Sequence, residues 1–238
     1  MKLSLEGKKV IITGGTKGIG AECVRVFLEE GAIVSFCARD VDEINETLEQ
    51  FRRQFPGKVF ADIVDISCHV DYREWILKSA WQMNGIDIFI ANASAGFNPQ
   101  QEFWFKNFNT DLMGAVLGFK FSFPFLKKSS TAAMIIIAST SGLDKGQPSA
   151  YSTLKSALIS YSGQLSYYAK QYNIRVNSLS PGRIITSTST TIDQHQKQQY
   201  GYPADIATCV AFLSSPVSHW INGVNIVADG GERSAIQF

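Results

Sequence analysis

The sequence predicts a single α/β domain over residues 1–238, a doubly wound parallel sheet with helices on both faces. Two patterns carry that expectation. Short, continuously apolar runs alternate with helix-length segments almost throughout, and such runs mark parallel strands buried on both sides. A glycine-rich turn also joins the first run to the first helical segment, the place where open α/β sheets hold their ligands. With 238 residues, 45% of them hydrophobic, the chain can bury one substantial core.

The elements follow in order. Residues 9–13 (KVIIT) are a β-rich run, and the pattern over 21–30 is helical. The next strand is expected over 33–38 and the next helix over 42–55. Residues 59–63 lead into a helix over about 70–84. Segments 86–91 and 134–138 read as fully buried strands. Between them the simplest assignment is one helix over 101–128, which Pro124 should kink or end early. A long helix over 151–172 precedes the last two strands, 175–179 and 224–227. The stretch 186–199 is polar and without period, so it reads as a surface loop, part of a lid-like segment over about 186–202.

Charge and composition narrow the function classes. The 22 Lys+Arg against 21 Asp+Glu leave a net charge of +1, so neither a nucleic-acid partner nor a membrane surface is expected. The longest apolar run in the middle, 132–138, is far short of the roughly 20 residues that cross a bilayer. The first six residues carry no long apolar stretch of a secretory signal. Cys23, Cys37, Cys68 and Cys209 are widely spaced and read as reduced thiols of a cytoplasmic protein. His69, His195 and His219 are isolated, and no metal site is expected.

The turn Thr13-Gly14-Gly15-Thr16-Lys17-Gly18-Ile19-Gly20 has the spacing G-x3-G-x-G. Glycines there permit a tight turn and bring backbone N–H groups to a pyrophosphate at a helix N-terminus. Close strand–helix packing alone would also account for them. At the end of the second strand an enzyme using NAD would carry an acid for the ribose. Here Ala38 is followed by Arg39, and Lys17 adds a second cation, so the pair favours the 2′-phosphate of NADP(H).

Tyr151 and Lys155 are spaced i,i+4, which puts phenol and ammonium on one helix face. A free phenol titrates near pH ~10, and a neighbouring cation stabilises its anion. The pair therefore suits general acid/base work on a carbonyl/alcohol couple. Ser139 ends an apolar strand at the ligand crevice, where its hydroxyl can meet the substrate oxygen.

With these residues in place the chain resembles the short-chain dehydrogenase/reductase family over essentially its whole length, from Lys8 to Gly231. The resemblance implies a Rossmann-type fold. The turn is similar to the family's TGxxxGxG motif, and Asp65-Ile66 to the pair that contacts adenine. Ser139, Tyr151 and Lys155 match the catalytic serine, tyrosine and lysine. Residues 176–182 (VNSLSPG) resemble the segment before the nicotinamide, which implies cofactor contacts for Pro181, Gly182, Ile184 and Thr186. Asn222-Gly223 and Asp229-Gly230-Gly231 match the closing segment.

By this resemblance Tyr151 protonates the carbonyl oxygen as hydride leaves the nicotinamide. Ser139 holds the substrate oxygen, and Lys155 binds the nicotinamide ribose and keeps the phenol acidic. The full set of implied cofactor contacts is Gly14, Thr16, Lys17, Gly18, Ile19, Gly20, Arg39, Asp65, Ile66, Asn92, Ala93, Tyr151, Lys155, Pro181, Gly182, Ile184 and Thr186.

The chain departs from the pattern twice. The family's N-N-A-G is Ala91-Asn92-Ala93-Ser94, and the catalytic asparagine of the following helix is Asp111. The resemblance assigns that position a backbone carbonyl that holds a water linked to Lys155, so Asp111 joins the catalytic set, and its carboxylate should hold Lys155 charged. Ser141 is a second candidate for the hydroxyl role. Phe97, Ser94, Gly142, Gln147, Tyr200 and Tyr202 should line the substrate side. Arg183 is either a contact for an anionic substrate or a structural arginine. The patch Phe103-Trp104-Phe105 with Phe108 implies a homodimer or homotetramer.

The first function expected is an NADPH-dependent reductase of a small carbonyl substrate. An NADP(H)-using isomerase, dehydratase or enoyl reductase is the second, and a weakly catalytic NADP-binding scaffold the third.

Overall fold

The computed structural model describes residues 2–98, 103–144, 148–186 and 200–232. Its strands are β1 (Lys9–Thr13), β2 (Ile33–Ala38), β3 (Val59–Ile63), β4 (Ile88–Ala91), β5 (Ala133–Ile137), β6 (Arg175–Pro181) and β7 (Asn225–Ala228). All pair in parallel, in the order β3-β2-β1-β4-β5-β6-β7. The helices are α1 (Gly18–Glu29), α2 (Val41–Gln54), α3 (His69–Gln82), α4 (Phe103–Asn107), α5 (Met113–Leu126), α6 (Ala150–Ala169) and α7 (Pro203–Ser214).

The strands have period-two side chains but no polar face. Ile11, Phe89, Met134, Ile136 and Val176 point to a core formed with Tyr72 and Ile76 of α3, Phe119 of α5 and Leu158 of α6. Their neighbours Val10, Ile12, Val34, Phe36, Ile90, Ile135 and Leu179 point the other way, onto Val24 and Phe27 of α1, Phe51 of α2 and Val210 of α7. Removing each such side chain from water contributes about 2 kcal/mol. A sheet apolar on both faces has to be covered on both.

Two stretches differ from the sequence expectation. The 101–128 helix is α4, then one π-helical turn at Phe108–Leu112, then α5. Pro124 lies in the last turn of α5, which ends at Leu126. Helix α7 was not anticipated. Pro203 opens it, where a missing N–H costs nothing, but its apolar residues run almost all round and gave no clear period. Gln101, Gln147, His195 and 187–199 of the expected lid lie outside the described residues.

The chain builds β1, β2 and β3 outward, then returns to the far side of β1 for β4. Ligands of such sheets bind beyond the carboxyl ends of the strands at that reversal. Among the described residues no helix is long and apolar enough to cross a membrane.

Candidate active site

At the reversal point Asn92, just past β4, clamps the end of β1. Its side-chain amide donates to the carbonyls of Thr13 and Gly14, both at 2.9 Å. In return the Thr13 hydroxyl oxygen accepts the N–H groups of Asn92 at 3.0 Å and Ala93 at 3.1 Å. Gly14 takes φ +72°, a conformation an L side chain rarely adopts. A Cβ on Gly20 would stand 1.8 Å from the Gly14 carbonyl oxygen, so only glycine lets α1 start this close to the strand. The N-cap residue of α1, Lys17, makes no side-chain cap, and the first turn of the helix holds no acid. Its free N–H groups and positive dipole end are left for an anion.

This turn forms one end of a cleft of about 1040 Å³. Every residue expected to touch the cofactor lines it, as do Ser139, Tyr151 and Lys155. Asp111 does not; its neighbour Thr110 reaches the wall and Asp111 lies behind.

At the rim one of the two cations is paired. Glu43, in the first turn of α2, pairs with Lys17 Nζ at 2.8 Å and accepts from the Thr16 hydroxyl at 2.9 Å. Those two contacts hold its carboxyl below the usual carboxylate range. Arg39 is exposed and makes no ion pair among the described residues. Burial opposes ionisation of Asp65 across the groove, but the Ser67 N–H and hydroxyl, with Arg39 and Lys106 beyond, hold its carboxyl low overall. Glu43 escaped the sequence reading. Asp40-x-x-Glu43 is a helix-start pattern, and the Glu43 N–H does donate to the Asp40 carboxylate. Nothing local in sequence says that Glu43 also meets a turn 27 residues earlier.

The opposite end is buried. Lys155 donates to the Ile137 carbonyl at 2.9 Å, and its ammonium lies 3.4 Å from Asp111 Oδ2 and 5.5 Å from the centre of the Tyr151 ring. The side chains of Lys155 and Asp111 are 3% and 1% exposed. An ammonium has three protons, so one remains for the cleft that Lys155 lines. Asp111 sits on the π-helical turn, which re-aims a helix by one residue. The Ser139 hydroxyl oxygen accepts the Ser141 N–H at 3.2 Å. Ser141 itself opens onto a smaller cavity of about 350 Å³, with Asp144 and the other side of Tyr151. Only Ser139 of the two serines faces the main cleft.

Residues 8–197 match the family model described as short chain dehydrogenase. The chain belongs to the short-chain dehydrogenase family. It is 34% identical to the isoepoxydon dehydrogenase of Aspergillus clavatus, over 99% of this chain and 98% of that one. It is 30% identical to a tropinone reductase homolog of Arabidopsis thaliana, over 96% and 92%. Its fold superposes on the L-sorbose reductase of Gluconobacter frateurii complexed with NADPH and L-sorbose, with TM-score 0.89, 25% identity and coverage of 97% and 98%.

On the substrate side of this short-chain dehydrogenase, Ser94 and Phe97 line the main cleft as expected. Tyr200 lines a separate cavity of about 760 Å³ instead, with Arg183 and Cys209. Tyr202 precedes α7 and donates its N–H to Asp205 at 2.7 Å. Gly142 packs on α6, where a Cβ would lie 2.7 Å from the Lys155 carbonyl carbon. Arg183 pairs with Glu232 at 3.1 Å. Gly142 is turned away from the cleft because the 3-10 turn at Thr140–Gly142 packs on α6.

Proposed function

We propose that this short-chain dehydrogenase is an NADPH-dependent oxidoreductase that reduces the carbonyl of a small organic or acyl substrate to an alcohol. The observation that carries the reading is the convergence of Tyr151, Lys155 and Ser139 on the cleft that the glycine turn opens. The residues fit the cofactor. The close approach at Gly20 and the uncapped start of α1 suit a pyrophosphate. Ala38 offers no carboxylate to a ribose, and exposed Arg39 suits a 2′-phosphate. Gly18, Ile19, Asp65, Ile66, Ala93, Pro181, Gly182, Ile184 and Thr186 complete the wall that would hold it.

When bound, NADPH supplies the hydride. Tyr151 gives its phenolic proton to the carbonyl oxygen, and Lys155 steadies the phenolate left behind. Ser139 donates a hydrogen bond to the same oxygen as negative charge gathers there. Asp111 acts from behind Lys155 as its counter-charge. The exposed Trp104, Phe105 and Phe108 support a homo-oligomer, and the buried free thiols of Cys23 and Cys37 suit the cytoplasm.

The test is NADPH consumption, followed by absorbance, against a panel of small ketones and β-keto thioesters. Tyr151→Phe should lower kcat at least a hundredfold, within the range of general-acid contributions of about 10²–10⁴. Undiminished turnover in that variant would remove Tyr151 from the mechanism. NADPH binding with no carbonyl consumed would turn attention to isomerisation or dehydration.

A further inference from the structure

The chain's departures from its family at positions 94 and 111 meet in the fold. The Ser94 hydroxyl donates to Asp111 Oδ2 at 2.5 Å, whereas Lys155 Nζ stands 3.4 Å from that same oxygen. The direction of the hydroxyl is fixed, because the Gly96 N–H donates to the Ser94 oxygen at 3.0 Å and leaves its proton for the carboxylate. Oδ1 is also engaged, by the Ala95 N–H at 2.8 Å and the Asn107 amide at 3.4 Å. A direct ammonium–carboxylate hydrogen bond closes to about 2.7–2.9 Å. This buried pair is longer, and the short bond on the shared oxygen goes to serine.

We infer that Ser94 is a positioning residue that holds the Asp111 carboxylate back from Lys155. The pair then compensates the buried ammonium without capturing it, and a proton and most of the charge stay directed to the cleft. With no hydroxyl at position 94, Oδ2 has, among the described residues, Lys155 alone to satisfy it and closes onto the ammonium. With no carboxylate at position 111, the ammonium acts on Tyr151 uncompensated. Of the titratable groups on the elements packed around Asp111, Lys155 and Tyr151 of α6 belong to the site; Lys106 of α4 and Lys120 of α5 are exposed, and Tyr161, Tyr167 and Tyr168 lie further along α6. The inference rests on the roles given above to Tyr151 and Lys155.

It makes the two substitutions act with opposite signs. Asp111→Asn should move the pH profile of kcat toward acid, because an uncompensated lysine favours the phenolate. Ser94→Ala should move it toward alkali and weaken NADPH binding several-fold by fluorescence titration. Ser94→Thr should restore both, and Ser94→Ala should add nothing in the Asp111→Asn background. An unmoved Ser94→Ala profile overturns the inference, and so does a shift toward acid or an effect that persists beside Asp111→Asn. If Asp111→Asn does not fold, the Ser94→Ala and Ser94→Thr pair still decides the sign. If the wild type reduces no carbonyl, the reductase reading fails by itself. Thermal unfolding of the cofactor-free proteins then judges the network: non-additive losses from the two single variants uphold it, and additive losses overturn it.

Discussion

The two ends of the cleft each hold a lysine–carboxylate pair, and the shorter contact is the weaker. Lys17 and Glu43 stand 2.8 Å apart with side chains 77% and 37% exposed, whereas Lys155 and Asp111 stand 3.4 Å apart at 3% and 1%. Water screens the first, and holding two long side chains in place costs entropy, so its net worth is about 0–1 kcal/mol. The second sits where each charge has lost its hydration, and removing one partner strands the other at a cost of about 3–5 kcal/mol. Burial, not separation, ranks them. The rim of this cleft can be retuned residue by residue, while its base stands or falls as a unit.

The sharpest way to break that ranking is to delete both carboxylates and compare. Asp111→Ala leaves a buried ammonium without its counter-charge, and the stability loss in urea unfolding should reach about 3–5 kcal/mol. Glu43→Ala should cost no more than about 1 kcal/mol. Equal losses would mean that water reaches Lys155 and that the base of the cleft is no drier than its rim.

The next effect belongs to the rim itself. Arg39 is the rim cation without an ion pair among the described residues, so it should contribute more to a 2′-phosphate than Lys17 does. Arg39→Asp should weaken NADPH binding at least tenfold, since a hydrogen bond to a charged group is worth about 1.5–3 kcal/mol. NADH, which lacks that phosphate, should change much less. Side-by-side fluorescence titrations read both, and an unchanged NADPH/NADH ratio would remove Arg39 from cofactor selection.

The same contrast explains what the sequence could and could not say. The strands were legible because short apolar runs alternate with helix-length segments and are bounded by turn residues, a combination that marks buried strands. The cleft was legible because glycine spacing and a Tyr-x3-Lys pair are local patterns. The partners of those residues were not. Glu43 on Lys17, Ser94 on Asp111 and Asn92 on Thr13 are separated by 26, 17 and 79 residues, and their meeting is a product of topology. Asp111 shows the limit best. Its identity was readable as a departure, but its burial, and the serine on its shared oxygen, depend on a π-helical turn that no local propensity announces.

The smallest effect tests whether the rim pair restrains Lys17 at all. In the free protein Glu43 occupies the ammonium that a 2′-phosphate would want. Glu43→Gln should therefore strengthen NADPH binding, by about threefold at most given the exposure of the pair, and leave NADH unchanged. The pH dependence of stability supplies an independent check. Lys17 and Thr16 hold the Glu43 carboxyl below its usual range, so its contribution is fully present above the ordinary carboxylate value of about 4.3. That contribution is lost only as the pH falls through the lowered value. The stability difference between wild type and Glu43→Gln should stay flat from about pH 5 to 8 and shrink only below about pH 4. A difference that stays flat below pH 4 as well would show that Lys17 does not hold the carboxylate in solution, and the rim would then be an open cationic edge with both Lys17 and Arg39 free for phosphate.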